Sequence, residues 1–353
     1  MIEIDGSHGE GGGQILRTAV SLSALTMKPI RVVDIRANRP EPGLKRQHLT
    51  GIELAAQLVN ADTTGLLVGS TEIEFIPKER RGGQFSLDVG TAGSISLVLQ
   101  TVLPPAVLSP EPVTFSLRGG TDVKWSPPVD YLTAVFAHAL GKLGPSIDIR
   151  QKRRGHYPRG GGLVECVVDP VERLNPVDMV EFGRPIAISG ISHCVRLPSH
   201  VAQRQASSAA TLLKSKTGVA PDFAIESYRQ EKDSHMGPGS GIVIWVDSDR
   251  EMRLGADARG DRGTRAEDVG IAAAIRLLSH LATGKAVDAH LGDMIIPYLA
   301  VADGVSRVGV TEVTSHLATN IWTVRRILGT EINLSGEIGQ PGQLQIHGEG
   351  LSL

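Results

Sequence analysis

Cysteine is scarce in this chain: two residues in 353, Cys166 and Cys194, far apart and without CxxC or Cys/His ligand spacing. A disulfide framework and a structural zinc are therefore not expected, and a reducing cytoplasm fits. No stretch approaches the roughly eighteen uninterrupted apolar residues of a membrane span. The opening Met1-Ile2-Glu3-Ile4-Asp5 carries two acids and no basic region ahead of an apolar run, so no secretory leader is expected. The expectation is a cytoplasmic protein with no membrane partner. A surplus of one charge sign is also missing, because 36 basic and 38 acidic residues leave a net charge of −2. Proteins that track a long phosphate backbone are strongly basic, so a nucleic-acid substrate would be gripped at one end.

Glycine and proline, by contrast, are plentiful. Forty-one glycines and twenty prolines fall in short clusters between apolar segments, the pattern of many tight turns joining strands and helices. With 41% hydrophobic residues the chain can bury a substantial core and is expected to divide into two domains. A rhythm of glycine-bearing turn, helix-like stretch and strand-like segment can be drawn four times. It appears at Gly9–Gly13 before Gln14–Val20, at Gly90–Ser94 before Ile95–Leu103, at Tyr131–Leu143 and at Leu317–Leu328. From 182 to 284 the order changes to strand (Ile186–Val195), helix (Val201–Lys214), further strands and a long helix (Ala266–Leu281). The reading is an α/β (α+β) fold. Residues 1–181 plus 285–353 form a large discontinuous domain of repeated βαβ-containing units, and 182–284 form an inserted small α+β domain.

Several segments could carry chemistry. Gly9–Gly13 ahead of a helix either lets backbone N–H groups approach a phosphate or makes a tight turn; it has neither the P-loop nor the GxGxxG pattern. Glu10 within it either ligates a hard divalent cation or complements the helix dipole. Between Ile35 and His48 lie Arg36, Arg39, Lys45 and Arg46, with Pro40 and Pro42 stiffening the loop; this is a fork for a terminal phosphate or a solvated basic loop. Lys152-Arg153-Arg154 with Arg159, beside Gly160–Gly162, admits the same two readings. For nucleophilic chemistry without a serine or cysteine motif, histidine is the best class. His290 follows Asp288 and His316 follows Thr314-Ser315, both at expected helix starts. There the dipole disfavours imidazolium and keeps the ring neutral and nucleophilic. Taken singly, a histidine in such a place is more often a capped structural residue than a nucleophile.

Taken together these motifs resemble the RNA 3′-terminal phosphate cyclase family. The most specific match is Arg154-Gly155-His156-Tyr157-Pro158-Arg159-Gly160-Gly161-Gly162-Leu163-Val164. Others are Asp5-Gly6 with Gly9–Arg17, Arg36–Arg39 with Pro42-Gly43-Leu44 and Arg46-Gln47-His48, Gly119–Asp122 with Pro127-Pro128, Ala266–Gly270, and His316-Leu317-Ala318-Thr319-Asn320. They follow the family's order over nearly the whole chain.

The resemblance implies four repeats with an inserted small domain and an ATP-dependent ligase-class enzyme of RNA processing. It makes His316 the nucleophile, which attacks the α-phosphorus of ATP to give a histidine–AMP intermediate. The nucleotidyl group then passes to an RNA 3′-phosphate, and the 2′-OH closes a 2′,3′-cyclic phosphate. Gln100, Pro127, His290, Asp293 and Met294 fall at the family's nucleotide-binding positions. Arg17, Arg36, Arg39 and Gln47 fall where it receives the RNA phosphate, and Glu10 where it holds Mg²⁺ or Mn²⁺. Two positions depart from the pattern: the family often has tyrosine at His290 and glutamine at Met294. Two rivals are a non-catalytic cyclase-like protein of ribosome assembly, against which the presence of His316 argues, and an enolpyruvyl-transferase-like enzyme, which has six units rather than about four.

Overall fold

The computed structural model describes residues 1–353, the side chain of Gln230 excepted. Its first sheet is built from β1 (Ile2–Asp5), α1 (Gly13–Thr26), β2 (Ile30–Val33), α2 (Arg46–Leu58), β3 (Asp62–Thr64) and β4 (Ile73–Ile76). The second comprises β5 (Gly83–Asp88), α3 (Ile95–Ala106), β6 (Val113–Gly119), β7 (Ser146–Arg153) and β8 (Gly162–Asp169). Between β6 and β7 runs a helical stretch of α4 (Val129–Tyr131), a wider turn over Leu132–Phe136 and α5 (Ala137–Gly141). After β9 (Asp178–Met179) the chain makes an excursion of β10 (Pro185–Val195), α6 (His200–Thr217), β11 (Asp222–Ser227), β12 (Gly239–Ser248), β13 (Arg253–Arg259) and α7 (Ala266–Ala282). It returns through α8 (Ala289–Leu299), β14 (Val305–Val310), α9 (Ser315–Leu328), β15 (Ile332–Ser335) and β16 (Gly342–His347).

Three of the four sheets share one topology, with orders β1-β2-β4-β3, β5-β6-β8-β7 and β9-β14-β16-β15. In each the first two strands are parallel and the remaining pairings antiparallel. Each parallel pair needs a crossover, and a helix supplies it: α1, α3 and α8. A second helix then leads into the closing hairpin: α2, the α4–α5 stretch, and α9. The repeat is therefore βαβαββ and occurs three times, which corrects the four units drawn from the sequence. The glycine turn at 90–94 and the helix from Tyr131 belong to one unit, because β7 and β8 close onto β6 rather than starting a sheet of their own.

Alternation along the strands places one face of each sheet on the helices; in β6, Val113, Phe115 and Leu117 are buried while Ser116 and Arg118 are exposed. Helix α1 is buried from Leu16 to Leu25 on nearly every side except Arg17, as expected of a helix at the centre of a layer. One apolar cluster runs through all three repeats. The excursion forms the fourth sheet, β11-β10-β12-β13, covered by α6 and α7 over a second cluster that includes Leu213, Ile244, Leu254 and Leu277. The chain departs and returns at one point, where Glu181 pairs with Lys285 and the Phe182 amide donates to the Gly284 carbonyl at 2.9 Å. Among the described residues no helix is long and apolar enough to cross a membrane.

Candidate active site

The N-terminus of α9 is set by Thr314, whose hydroxyl accepts from the Leu317 amide at 2.9 Å. This cap fixes His316 as the second residue of the helix, half exposed at its open end. Its Nε2 lies 3.5 Å from Glu10 and its Nδ1 4.0 Å from Asp293. Thr314 also donates to the Asp293 carboxylate, so the cap orients the acid beside the ring. Burial chiefly lowers the His316 pKa below the ordinary histidine value; Glu10 opposes this, while Arg17 and Arg39 reinforce it. Burial pushes the Asp293 carboxyl up to about 7 against the pull of Thr314.

Asn320, four residues on, is fully buried. Its Oδ1 accepts from the Thr18 hydroxyl (2.7 Å) and the Gln14 amide (3.0 Å), and its Nδ2 donates to the Asp293 carbonyl (2.5 Å). One side chain thereby joins α1, α8 and α9, the three helices that carry the site. His8 stacks on Trp322 with ring centroids 3.9 Å apart. Together these contacts bring the glycine turn beside the histidine helix.

The glycine turn makes room for cations. A Cβ on Gly12 would stand 2.9 Å from the Arg39 guanidinium, and one on Gly13 would overlap His48 Nε2. Arg39 also faces Glu10 at 3.5 Å, so Glu10 lies between Arg39 and His316. Arg17 donates to Gln14, and its buried Nε meets no partner among the described residues; burial brings its pKa down to about 10 although Asp293 opposes the change. His48 was missed by the sequence reading, which took Gln47 alone from that pair. It is buried, its Nδ1 accepts from the Lys45 amide at 3.1 Å, and burial with the field of Arg17, Arg36 and Lys45 lowers its pKa to about 3. A neutral ring that accepts at Nδ1 carries its proton on Nε2, and Nε2 faces the start of α1. Gly12 provides no side-chain cap for α1, leaving first-turn amides available to an anion.

The other expected residues divide. Gln47 Oε1 accepts from the Ser94 amide at 3.3 Å, tying α2 to the capping residue of α3. Arg36 sits at φ +56° and spends one guanidinium nitrogen on the carbonyls of Glu41 and Gly43, both at 2.9 Å, so it shapes its own loop as well as its surroundings. Pro127 is buried ahead of α4, Gln100 is half-buried on α3, and Met294 is buried on α8. His290 departs from the helix-end expectation of a neutral ring. Burial lowers its affinity for a proton, but a 3.1 Å bond to Asp257 and the charges of Asp257, Asp288 and Asp293 prevail and raise its pKa. It also meets the Tyr131 ring edge-on at 5.3 Å. The two helix-start histidines are thus electrostatically opposite, His316 with a lowered pKa and His290 with a raised one.

From Gln47 a cleft of about 1010 Å³ extends past Lys124, Trp125, Arg259, Arg262 and Arg265. Trp125 stands 94% exposed at its edge with φ +61°.

The chain matches the RNA 3′-terminal phosphate cyclase family over residues 8–334. It is 51% identical over 350 residues to the RNA 3′-terminal phosphate cyclase of Methanopyrus kandleri, covering 99% of each chain. The proteins of the same name from Ignicoccus hospitalis (50% identity, 99% of each chain) and Staphylothermus marinus (49% identity, 100% of this chain and 99% of the relative) are similar over their whole length. By sequence and over its full extent, the chain belongs to the RNA 3′-terminal phosphate cyclase family.

Proposed function

We propose that this chain closes RNA 3′-phosphates to 2′,3′-cyclic phosphates at the expense of ATP. The observation that carries the reading is the arrangement around His316: a ring of lowered pKa at a capped helix end, with Glu10 and Asp293 on its two sides. His316 attacks the α-phosphorus through Nε2, the α–β phosphoanhydride bond breaks, and pyrophosphate leaves. Asp293 stands on the other side of the ring, 4.0 Å from Nδ1. The nucleotidyl group moves to an oxygen of the RNA 3′-phosphate, and the neighbouring 2′-OH then attacks that phosphorus and expels AMP, losing its proton to solvent. Arg17, Arg39 and His48 Nε2–H hold the acceptor phosphate, with Arg36 shaping the loop and Gln47 setting its edge. Gln100, Pro127, His290, Asp293 and Met294 line the nucleotide side.

Glu10 is the residue that would hold Mg²⁺ or Mn²⁺: a half-exposed carboxylate beside the nucleophile matches a cation held by one acid and substrate phosphates. When bound, the ion would offset charge on the phosphoryl oxygens. The RNA behind its terminal phosphate enters the cleft from Gln47, where Trp125 offers a face for a base. Residues 182–284 serve as an inserted domain forming one wall of that cleft, on a frame of 1–181 plus 285–353; the Glu181–Lys285 pairing and the separate apolar cluster support this division. The cytoplasm is the setting.

Incubation of the full chain with ATP, metal and an RNA ending in a labelled 3′-phosphate tests the reading. The label should become resistant to phosphatase and be released by mild acid followed by phosphatase. A label that remains phosphatase-sensitive would reject it.

A further inference from the structure

A second cluster of chemistry-bearing residues lies apart from His316. Asp122, in the loop after β6, His156, in the loop after β7, and His193, on β10, each offer a ligand atom, all within 4.8 Å of one another. Their exposures are 5%, 4% and 1%. Neither ring nitrogen of His193 nor Nε2 of His156 meets a hydrogen-bond partner among the described residues. Buried imidazoles normally have partners, and leaving one without costs free energy. A direct His–Asp hydrogen bond does not relieve the deficit, since His193 Nε2 stands 3.7 Å from Asp122 Oδ1.

The surroundings favour a cation. Arg154 is the buried guanidinium here, and it faces three carboxylates: Asp122 at 3.4 Å, Asp130 at 2.7 Å and Glu226 at 2.5 Å. Arg259, which also acts on His156, is engaged with Asp261 at 2.8 Å. Both imidazoles are buried with unpartnered nitrogens beside Asp122, in a pocket where one guanidinium meets three carboxylates. The Asp122 carboxylate is already oriented, because its Oδ2 accepts from Thr121 at 2.6 Å and both of its oxygens face Arg154 at 3.4 Å. Such outer-shell bonds are characteristic of ligating acids.

We infer that Asp122, His156 and His193 form a binding site for one divalent transition ion of the zinc class. A tetrahedral ion with bonds of about 2.0–2.1 Å keeps its donors roughly 3.3 Å apart, so the 3.7 Å gap from His193 to Asp122 closes by a few tenths of an ångström. Two nitrogens and one oxygen suit Zn²⁺ or Co²⁺ and not Mg²⁺, with water as a fourth ligand. The ion would tie β10 of the excursion sheet to the loops of the second repeat. This site rests on no part of the cyclase reading.

The test uses the untagged full chain, stripped with chelator and desalted. After addition of Co²⁺ or Zn²⁺ and a second desalting, elemental analysis should find one equivalent retained, and the Co²⁺ form should show the visible absorption of a four-coordinate site. His193→Ala and the isosteric Asp122→Asn should weaken retention by about 100-fold or more, whereas Glu10→Ala should retain the full equivalent. Failure of the unaltered chain to retain either ion overturns the inference, with no variant needed. So does undiminished retention in both His193→Ala and Asp122→Asn, or loss of the ion in Glu10→Ala.

Discussion

The Thr18 hydroxyl meets Asn320 Oδ1 at 2.7 Å across 302 residues of sequence, joining the first repeat to the third directly behind His316. Asn320→Ala would remove one hydrogen-bond partner each from Thr18, Gln14 and the Asp293 carbonyl. With each unsatisfied buried group costing ~1–3 kcal/mol, we expect a loss on the order of 3 kcal/mol in denaturant unfolding. Nucleotidylation should fall with it. A variant as stable as the parent would show that the three helices are held in register by packing alone.

His316→Ala is expected to abolish an acid-labile protein–nucleotide adduct, because no neighbouring group replaces a nucleophile. His290→Ala should leave the adduct forming with a raised requirement for ATP, since its ring is bonded to Asp257. Adduct formation with α-labelled ATP, read after denaturing electrophoresis, separates the two. Label on His290 would reverse the assignment.

Arg39→Ala should spare the adduct but slow its transfer to RNA by roughly tenfold or more, the effect of losing a charge-assisted bond of ~1.5–3 kcal/mol. Arg36→Ala should slow transfer too, and should also loosen its loop by releasing the Glu41 and Gly43 carbonyls. Hydrogen exchange over 36–44 distinguishes them: faster exchange is expected in Arg36→Ala only.

Asp293 provides a test through pH. Its folded value near 7 lies above the 3.8 of an ordinary aspartate, with burial the main cause. The fold thus prefers the protonated acid, and ionisation costs stability that is fully lost only above about pH 7. Asp293→Asn removes that cost. Its melting temperature should exceed the parent's at pH 8, by an amount equivalent to roughly 2–4 kcal/mol, and the gap should close as pH falls toward 4. A gap independent of pH would mean that the carboxyl is ionised freely.

Trp125→Ala should weaken binding of single-stranded RNA by about 1–3 kcal/mol, the usual value of one stacked base, with adduct formation unchanged. Fluorescence anisotropy on a 3′-phosphorylated oligonucleotide measures it. Equal affinity would place the RNA outside the cleft.

What the sequence disclosed was mostly local. Thr314, Asp288 and Ser94 each cap a helix within three residues of themselves, so the helix starts carrying His316 and His290 could be read directly. The repeat count could not, because it depends on which strands pair. β3 and β9 are three and two residues long, too short for a periodic signal, and β8 joins β6 from some fifty residues away. His48 escaped notice because its value lies in burial against a glycine that only the folded turn brings near. The helix-dipole argument erred at His290, where Asp257 arrives from the excursion sheet. Asp122, His156 and His193 have no ligand spacing at all and meet only in three dimensions.

The second residue of the second helix is Gln47 in the first repeat, Asp130 in the second and His316 in the third. One holds the capping residue of a neighbouring helix, one is a counter-ion for Arg154, and one is the nucleophile candidate. A frame copied three times offers the same backbone socket three times, and in each copy the socket has been given a different occupant. Exchange of side chains among these positions would therefore change the chemistry of the protein while asking little of its backbone.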